Sequence, residues 1–222
     1  MKTNSKDKAL QIMQVREAYE DMLVRIAITA EYKDPGAGGH ISRVSDYSTA
    51  IARSLGIPED EVEVLRYASM MHDIGKIGIP DIILEKATSL SPEERKKIEE
   101  HTIIGGRIFE GSTSPIVMAS AQIALTHHER YDGTGYPKGL KGEDIPLYGR
   151  IVSVADYFDA FVSERHYKKA WSFDDALADI SKKTGSSFDP RIVSAFLGVK
   201  ETIRQILDAN NAIMDFVKNG KN

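Results

Sequence analysis

Five histidines and two aspartates recur at nearly even intervals along this chain: His40, the His72-Asp73 pair, His101, the His127-His128 pair and Asp156. Successive groups are separated by 32, 28, 26 and 28 residues, about one group per helix and loop. Each group sits on an apolar stripe of helical period, so the helices would aim these side chains into one interior. A single histidine on such a stripe is ordinarily a core residue with a hydrogen-bonded ring. Seven convergent imidazoles and carboxylates are harder to explain that way. Burying carboxylates without compensating charge is expensive, whereas a divalent cation makes the same cluster favourable. Nitrogen and oxygen ligands of this kind suit iron or manganese, and also zinc, nickel or cobalt. Seven side chains are too many for one ion and suit two, bridged by a carboxylate. Asp73 is the best placed bridge, because it follows a ligand histidine in the middle of the set. A metal-bridging hydroxide with a lowered pKa, and a phosphoryl oxygen polarised by the ions, would equip such a centre for phosphate ester hydrolysis at neutral pH.

The elements that must hold these groups read as helices almost throughout, with few strand signals. Val15, Tyr19, Met22, Ile26 and Thr29 share one face of a first helix, a stripe that could pack on the domain, on a second subunit or continue an upstream module. A glycine-rich loop precedes His40, and His40, Val44, Tyr47 and Ile51 form the next stripe. Pro58 with Glu59, Asp60 and Glu61 marks a helix start, and Leu65, Ala68 and His72 are expected on that helix's inner face. Lys76, four residues after His72, would share that face if the helix persists. There it could stabilise charge on a phosphate oxygen, or be a solvated lysine near a helix end. Ser91 and Glu94 make a capping box for the helix carrying His101. A further helix from about Pro115 ends at His127 and His128. Glycine and proline exclude helix and strand from the following loop, and helix resumes from Arg150 to Val162. The expected architecture is an all-α bundle with the site between facing helices. Residues 1–30 are expected to form an N-terminal helix that dimerises or links, and 31–222 the catalytic domain.

At 222 residues the chain makes one full core, and 41% hydrophobic with 28% charged residues is ordinary for a soluble globular protein. The net charge of −4 offers no general attraction for duplex nucleic acid or an acidic membrane, so an anionic substrate needs a local cationic pocket. With no cysteine, disulfides and thiolate–zinc sites are excluded. No signal-peptide pattern or membrane-length apolar run is visible, which makes a cytoplasmic chain the expectation.

The stretches MMHDIGKIGIP and HHERYDGTGYPKGLKGEDIP, at this spacing, resemble the HD-GYP family of the HD phosphohydrolase superfamily. The likeness runs from about Ala27 to Val199. It implies an HD-type helical bundle that hydrolyses cyclic di-GMP to linear pGpG, and onward to GMP in some members. The family's metal ligands fall on His40, His72, Asp73, His101, His127, His128 and Asp156, and its lysine on Lys76. Its substrate-contacting residues fall on Arg165 and Lys168. Tyr136 belongs to the GYP loop, which in the family borders the site and is proposed to meet diguanylate cyclase partners. Some members carry a glutamate four residues before the first histidine, where it helps to hold a third ion. This chain has Gly36 there, which favours two ions and pGpG as the end product. One ion would sit among His40, His72, Asp73 and Asp156, the other among Asp73, His101, His127 and His128. A non-catalytic cyclic di-GMP sensor and a hydrolase of another cyclic dinucleotide are the rival readings. Asp159, one turn after Asp156, could orient a ligand or pair with an arginine.

Overall fold

The computed structural model describes residues 5–33, 39–86, 88–163 and 169–219. The described residues form ten α-helices: α1 (Ser5–Glu31), α2 (His40–Ser54), α3 (Glu59–Ser69), α4 (Asp81–Leu84), α5 (Pro92–Ile108), α6 (Pro115–Thr126), α7 (Leu147–Val162), α8 (Phe173–Lys182), α9 (Pro190–Gly198) and α10 (Lys200–Asn219). Two short 3-10 turns, Ile74–Gly78 and Gly142–Asp144, interrupt the longer connections. The described residues contain no strand, only an isolated bridge between Thr184 and Phe188. The expected all-α bundle is what forms.

Local chemistry sets several boundaries as expected. The Ser91 hydroxyl accepts from the Glu94 N–H while the Glu94 carboxylate accepts from the Ser91 N–H, so two orphan donors at the start of α5 are satisfied reciprocally. Ser172 caps α8 through the Asp175 N–H, and the Asp189 carboxylate caps α9 through the Arg191 N–H. Two boundaries differ: α7 starts at Leu147 rather than Arg150, and the end of α3 comes early. α3 ends at Ser69, so His72 lies in a turn rather than on the helix, and Lys76 lies in the 3-10 turn beyond it. Main-chain bonds from His72 N–H to Ser69 O and from Ile74 N–H to Met71 O, each spanning three residues, tighten the chain here.

α2 is the spine of the bundle and packs on α3, α7, α9 and α10. Its inner face buries Val44, Tyr47 and Ile51 against Leu65 of α3, Ile123 of α6, Phe158 of α7 and Phe196 of α9. The Tyr47 and Phe158 rings meet edge to face, 5.2 Å apart. A smaller cluster joins Leu23, Ala27 and Ala30 of α1 to Ile41, Met70, Met71 and Ile74. α1 therefore meets the body through a stripe one position away from the one that stands out in the sequence. Val15, Met22 and Ile26 remain exposed. α5 lies across α6 and the Ile74–Gly78 turn. Gly75 makes that crossing feasible, since a Cβ there would stand 1.9 Å from the His101 carbonyl oxygen. The glycine so brings His101 beside the His72-Asp73 turn.

Candidate metal centre

The start of α2, the 72–76 turn, the middle of α5, the end of α6 and the middle of α7 meet at one point, and all seven expected side chains are there. Their ligand atoms fall into two adjoining groups, one of His40, His72 and Asp156 and the other of Asp73, His101, His127 and His128. Within each group one atom per residue lies within 4.8 Å of the others. His40 Nε2 stands 3.4 Å from Asp156 Oδ1, and His72 Nε2 is 3.8 Å from the same oxygen. Asp73 faces both groups. Its Oδ1 lies 3.3 Å from His101 Nε2 and 3.6 Å from His127 Nε2, while its Oδ2 is 3.4 Å from His72 Nε2.

The imidazoles point inward because their other nitrogens are held. Nδ1 of His72 lies 2.8 Å from Ser69 O, that of His101 2.6 Å from Ile98 O, and that of His127 3.0 Å from Ile123 O. A carbonyl can only accept, so Nδ1 carries the proton and Nε2 keeps a lone pair for a cation. For His40 the holder is a carboxylate. Its Nδ1 lies 2.7 Å from Asp159 Oδ2, and Asp159 is clamped by Arg43 through Nε at 2.7 Å and Nη2 at 2.9 Å. His128 is placed by stacking, its ring 4.8 Å from that of Tyr136 and inclined by 28°.

The rings of His40, His72, His101 and His127 form a buried floor, while Asp73 and Asp156 keep 19% and 18% of their side-chain surface open, which leaves the centre a mouth. Burial opposes ionisation of Asp73, but Lys76 and His72 outweigh it and hold the carboxyl well below the usual carboxylate range. Burial likewise opposes ionisation of Asp156, and His40 and His72 hold it low. At His40 burial is overcome by Asp156 and Asp159, and the ring is pushed up to about 10. The potential that would retain a proton there also favours a metal cation. His128 goes the other way, driven well below the ordinary imidazole value by burial and by His127 and His101.

The donor set fits divalent metal. Among the described residues, His72 Nε2 and Asp73 Oδ1 are buried without a hydrogen-bond partner, though buried polar atoms are normally satisfied. A cation in each group would meet these needs, one at His72 Nε2 and one at Asp73 Oδ1. The mixture of imidazole and carboxylate suits first-row transition ions.

The other expected site residues divide. Lys76 Nζ lies 2.7 Å from Asp73 Oδ2, at the mouth. Tyr136 leans on His128 from the loop after α6, and its phenol is pushed up by burial and by Asp73, so it stays protonated. Arg165, Lys168 and Gly36 lie outside the described residues. Two contributors were not foreseen. Arg43 stands one turn after His40, the same spacing that separates Asp159 from Asp156, and that matched spacing was the available signal. Glu129 is buried directly after the histidine pair, where its carboxylate accepts from the Lys138 and Leu140 N–H groups at 2.8 and 3.0 Å. It thereby ties down the loop that presents Tyr136. The loop also needs Gly135, where a Cβ would stand 2.3 Å from the Arg130 nitrogen.

Residues 26–192 match the model of the HD domain family. The chain belongs to the HD-GYP branch of that family. It is 44% identical over 193 residues to the cyclic di-GMP phosphodiesterase response regulator RpfG of Xanthomonas campestris, covering 87% of this chain and 51% of that one. It is 45% identical over 192 residues to a cyclic di-GMP phosphodiesterase of Thermotoga maritima, covering 85% and 52%. This HD-GYP chain thus spans about half the length of the curated relatives it matches. Its fold is also similar to that of the cyclic GMP-AMP-specific phosphodiesterase V-cGAP3 of Vibrio cholerae, with a TM-score of 0.58, 24% identity and coverage of 88% and 53%. Among the described residues, no helix is long and apolar enough to cross a membrane.

Proposed function

We propose that this chain is a metal-dependent phosphodiesterase that hydrolyses cyclic di-GMP to linear pGpG. The observation that carries the reading is the carboxylate of Asp73, set between two groups of inward-facing ligands with one oxygen towards each. His40, His72, Asp73 and Asp156 would hold one ion, and Asp73, His101, His127 and His128 the other, with iron or manganese the favoured metals. Bound there, the ions would supply a water of lowered pKa and positive charge for the phosphoryl oxygens. One water is consumed: its oxygen joins phosphorus, the bond to the ribose 3′ oxygen breaks, and that oxygen leaves as a hydroxyl.

The side chains do the rest. Lys76, poised on Asp73 at the mouth, can turn to a non-bridging phosphate oxygen and offset the charge that grows in the transition state. It is also the local cation that an acidic chain needs for an anionic substrate. Tyr136 walls the mouth and keeps the His128 ring in place. Arg165 and Lys168 would meet guanine or phosphate, and the Tyr136 loop would offer a surface to a diguanylate cyclase domain. The 44–45% identity to two relatives named cyclic di-GMP phosphodiesterases supports cyclic di-GMP over another dinucleotide.

The test is to strip the protein with chelator, reload it with manganese or iron(II), add cyclic di-GMP and follow pGpG by chromatography. A panel with cyclic GMP-AMP and cyclic di-AMP in competition addresses specificity. Turnover of cyclic di-GMP is expected to lead the panel. Absence of turnover with every first-row divalent ion would refute the enzyme reading, and tight binding of intact nucleotide would replace it with a sensor.

A further inference from the structure

α1 carries two apolar stripes, and the body of the protein buries only one. The buried stripe is Leu23, Ala27 and Ala30, set against Met70, Met71 and Ile74. The other is Ile12, Val15, Tyr19, Met22, Ile26 and Thr29, spaced 3, 4, 3, 4 and 3 residues apart. Ile12, Val15 and Met22 are 62%, 69% and 61% exposed. At 100° per residue this second stripe lies about a quarter of a turn from the buried one, so a helix seated on it would pass beside the body.

Alternation of three and four is the seam of a left-handed coiled coil, with Ile12, Tyr19 and Ile26 in the first core position of each heptad and Val15, Met22 and Thr29 in the second. A second observation points the same way. Every side chain from Asp7 to Tyr19 is exposed, so the first half of α1 projects from the body. It touches the body through the Arg16 ion pair with Glu63 and a 3.4 Å approach of the Tyr19 hydroxyl to Ser114 Oγ. An isolated helix of that length is marginal in water, and most helical stability comes from packing an apolar face.

We infer that α1 pairs with α1 of a second copy of this chain, in parallel, through the Ile12–Thr29 seam. The occupant is a second copy because the stripe is complementary to itself: each of the six layers would pair identical residues across a two-fold axis. β-branched Ile12 and Ile26 in the first core position suit two parallel strands. Of the flanking positions, Gln11 would lie opposite Arg16, while Leu23 and Ala30 are already held by the body beside Ala18 and Arg25 of the partner copy, so no like charges meet. The far end of the same helix backs the metal centre, where the Glu31 carboxylate accepts from the Ile41 N–H at 3.2 Å, next to His40. A partner on the seam would thus fix a helix whose other face supports the ligands. The pairing does not depend on the catalytic reading.

Sedimentation equilibrium of the full chain at tens of micromolar is expected to give the mass of two chains. Val15→Glu combined with Met22→Glu removes only exposed side chains from the monomer. It should weaken pairing at least about a hundredfold by placing charge in the seam, with far-UV circular dichroism reporting an intact body. Because the chain has no cysteine, single replacements read the geometry directly. Ile12→Cys, Tyr19→Cys and Ile26→Cys should each cross-link to themselves on oxidation, and Glu17→Cys, on the far side of the helix, should not. A monomeric chain, a dimer indifferent to the glutamates, or efficient cross-linking at Glu17→Cys would overturn the seam. Cross-linking at Tyr19→Cys without Ile12→Cys or Ile26→Cys would overturn its parallel direction.

Discussion

In the half of the centre built on α2 and α7, His40 is braced by the buried carboxylate of Asp159, which is itself clamped by Arg43. In the half built on α5 and α6, His101 and His127 are braced by carbonyls of their own helices, three and four residues back. The first arrangement is tertiary: it exists only when α2 and α7 are docked, and it depends on a balance of buried charge. The second is local, because forming the helix supplies the acceptor. A carboxylate partner also raises the basicity of its imidazole more than a neutral carbonyl can. The halves should therefore respond differently to the same kind of damage, the first through metal affinity and charge, the second through helix geometry. Asp73 belongs to both.

The largest effect should come from Asp73→Ala. If one carboxylate serves both groups, its loss should abolish turnover and cut metal content in both halves, as read by elemental analysis of protein reloaded without chelator. Full metal occupancy in the variant would show that the halves are independent and that Asp73 is no bridge.

Next in size is Asp159→Asn, which keeps the shape but removes the charge. Metal affinity is expected to fall about 10–100-fold in one class of sites and to be unchanged in the other, seen as two separating phases in a calorimetric titration. Equal losses in both phases would erase the distinction between the halves. Truncation to Asp159→Ala is a harsher change that strands Arg43, and a buried ion pair broken on one side typically costs about 3–5 kcal/mol of stability. Its thermal midpoint should drop well below that of Asp159→Asn.

This asymmetry also marks what could be read in advance. The ligands were legible because chemistry restricts them to few residue types and helices repeat them on one face. The α5 start was legible because its cap is written in adjacent residues, Ser91 to Glu94. Arg43 was not, since its one hint, the three-residue spacing shared by His40–Arg43 and Asp156–Asp159, gains meaning only when α7 docks on α2. The end of α3 was missed for a similar reason. Nothing local stops the helix at Ser69; the turn that swings His72 inward is fixed by the close crossing of Gly75 on α5. The exposed stripe of α1 was visible, but which of two stripes meets the body was decided by residues 70–74, far along the chain.

A smaller effect is expected from Tyr136→Leu, which keeps bulk at the mouth and deletes the ring that stacks on His128. Aromatic pairs contribute about 0.5–1.5 kcal/mol beyond their area, so affinity in the half containing His128 should fall no more than about tenfold, with the other half untouched. A larger loss, or one that spreads to His40, would mean that the loop supports the whole centre.

The smallest effect tests whether the first half depends on docking of α7 as a unit. Tyr148, in the first turn of α7, reaches across to α3, its hydroxyl 3.3 Å from both the main-chain oxygen and a carboxylate oxygen of Glu61. Partial burial, then the Glu61 charge, push this phenol up to about 12, from about 10 in an unfolded chain. The folded state therefore favours the protonated form. That contribution is complete below about pH 10 and is lost as pH rises through the folded value. Wild type should exceed Tyr148→Phe slightly in thermal midpoint near neutrality, and the gap should close between pH 10 and 12. A gap that widens with pH would reverse the sign and remove Tyr148 as an anchor. If the gap closes as expected, Tyr148→Phe should also lower metal affinity only where Asp156 and Asp159 contribute, because α7 supplies nothing to the ligands on α5 and α6.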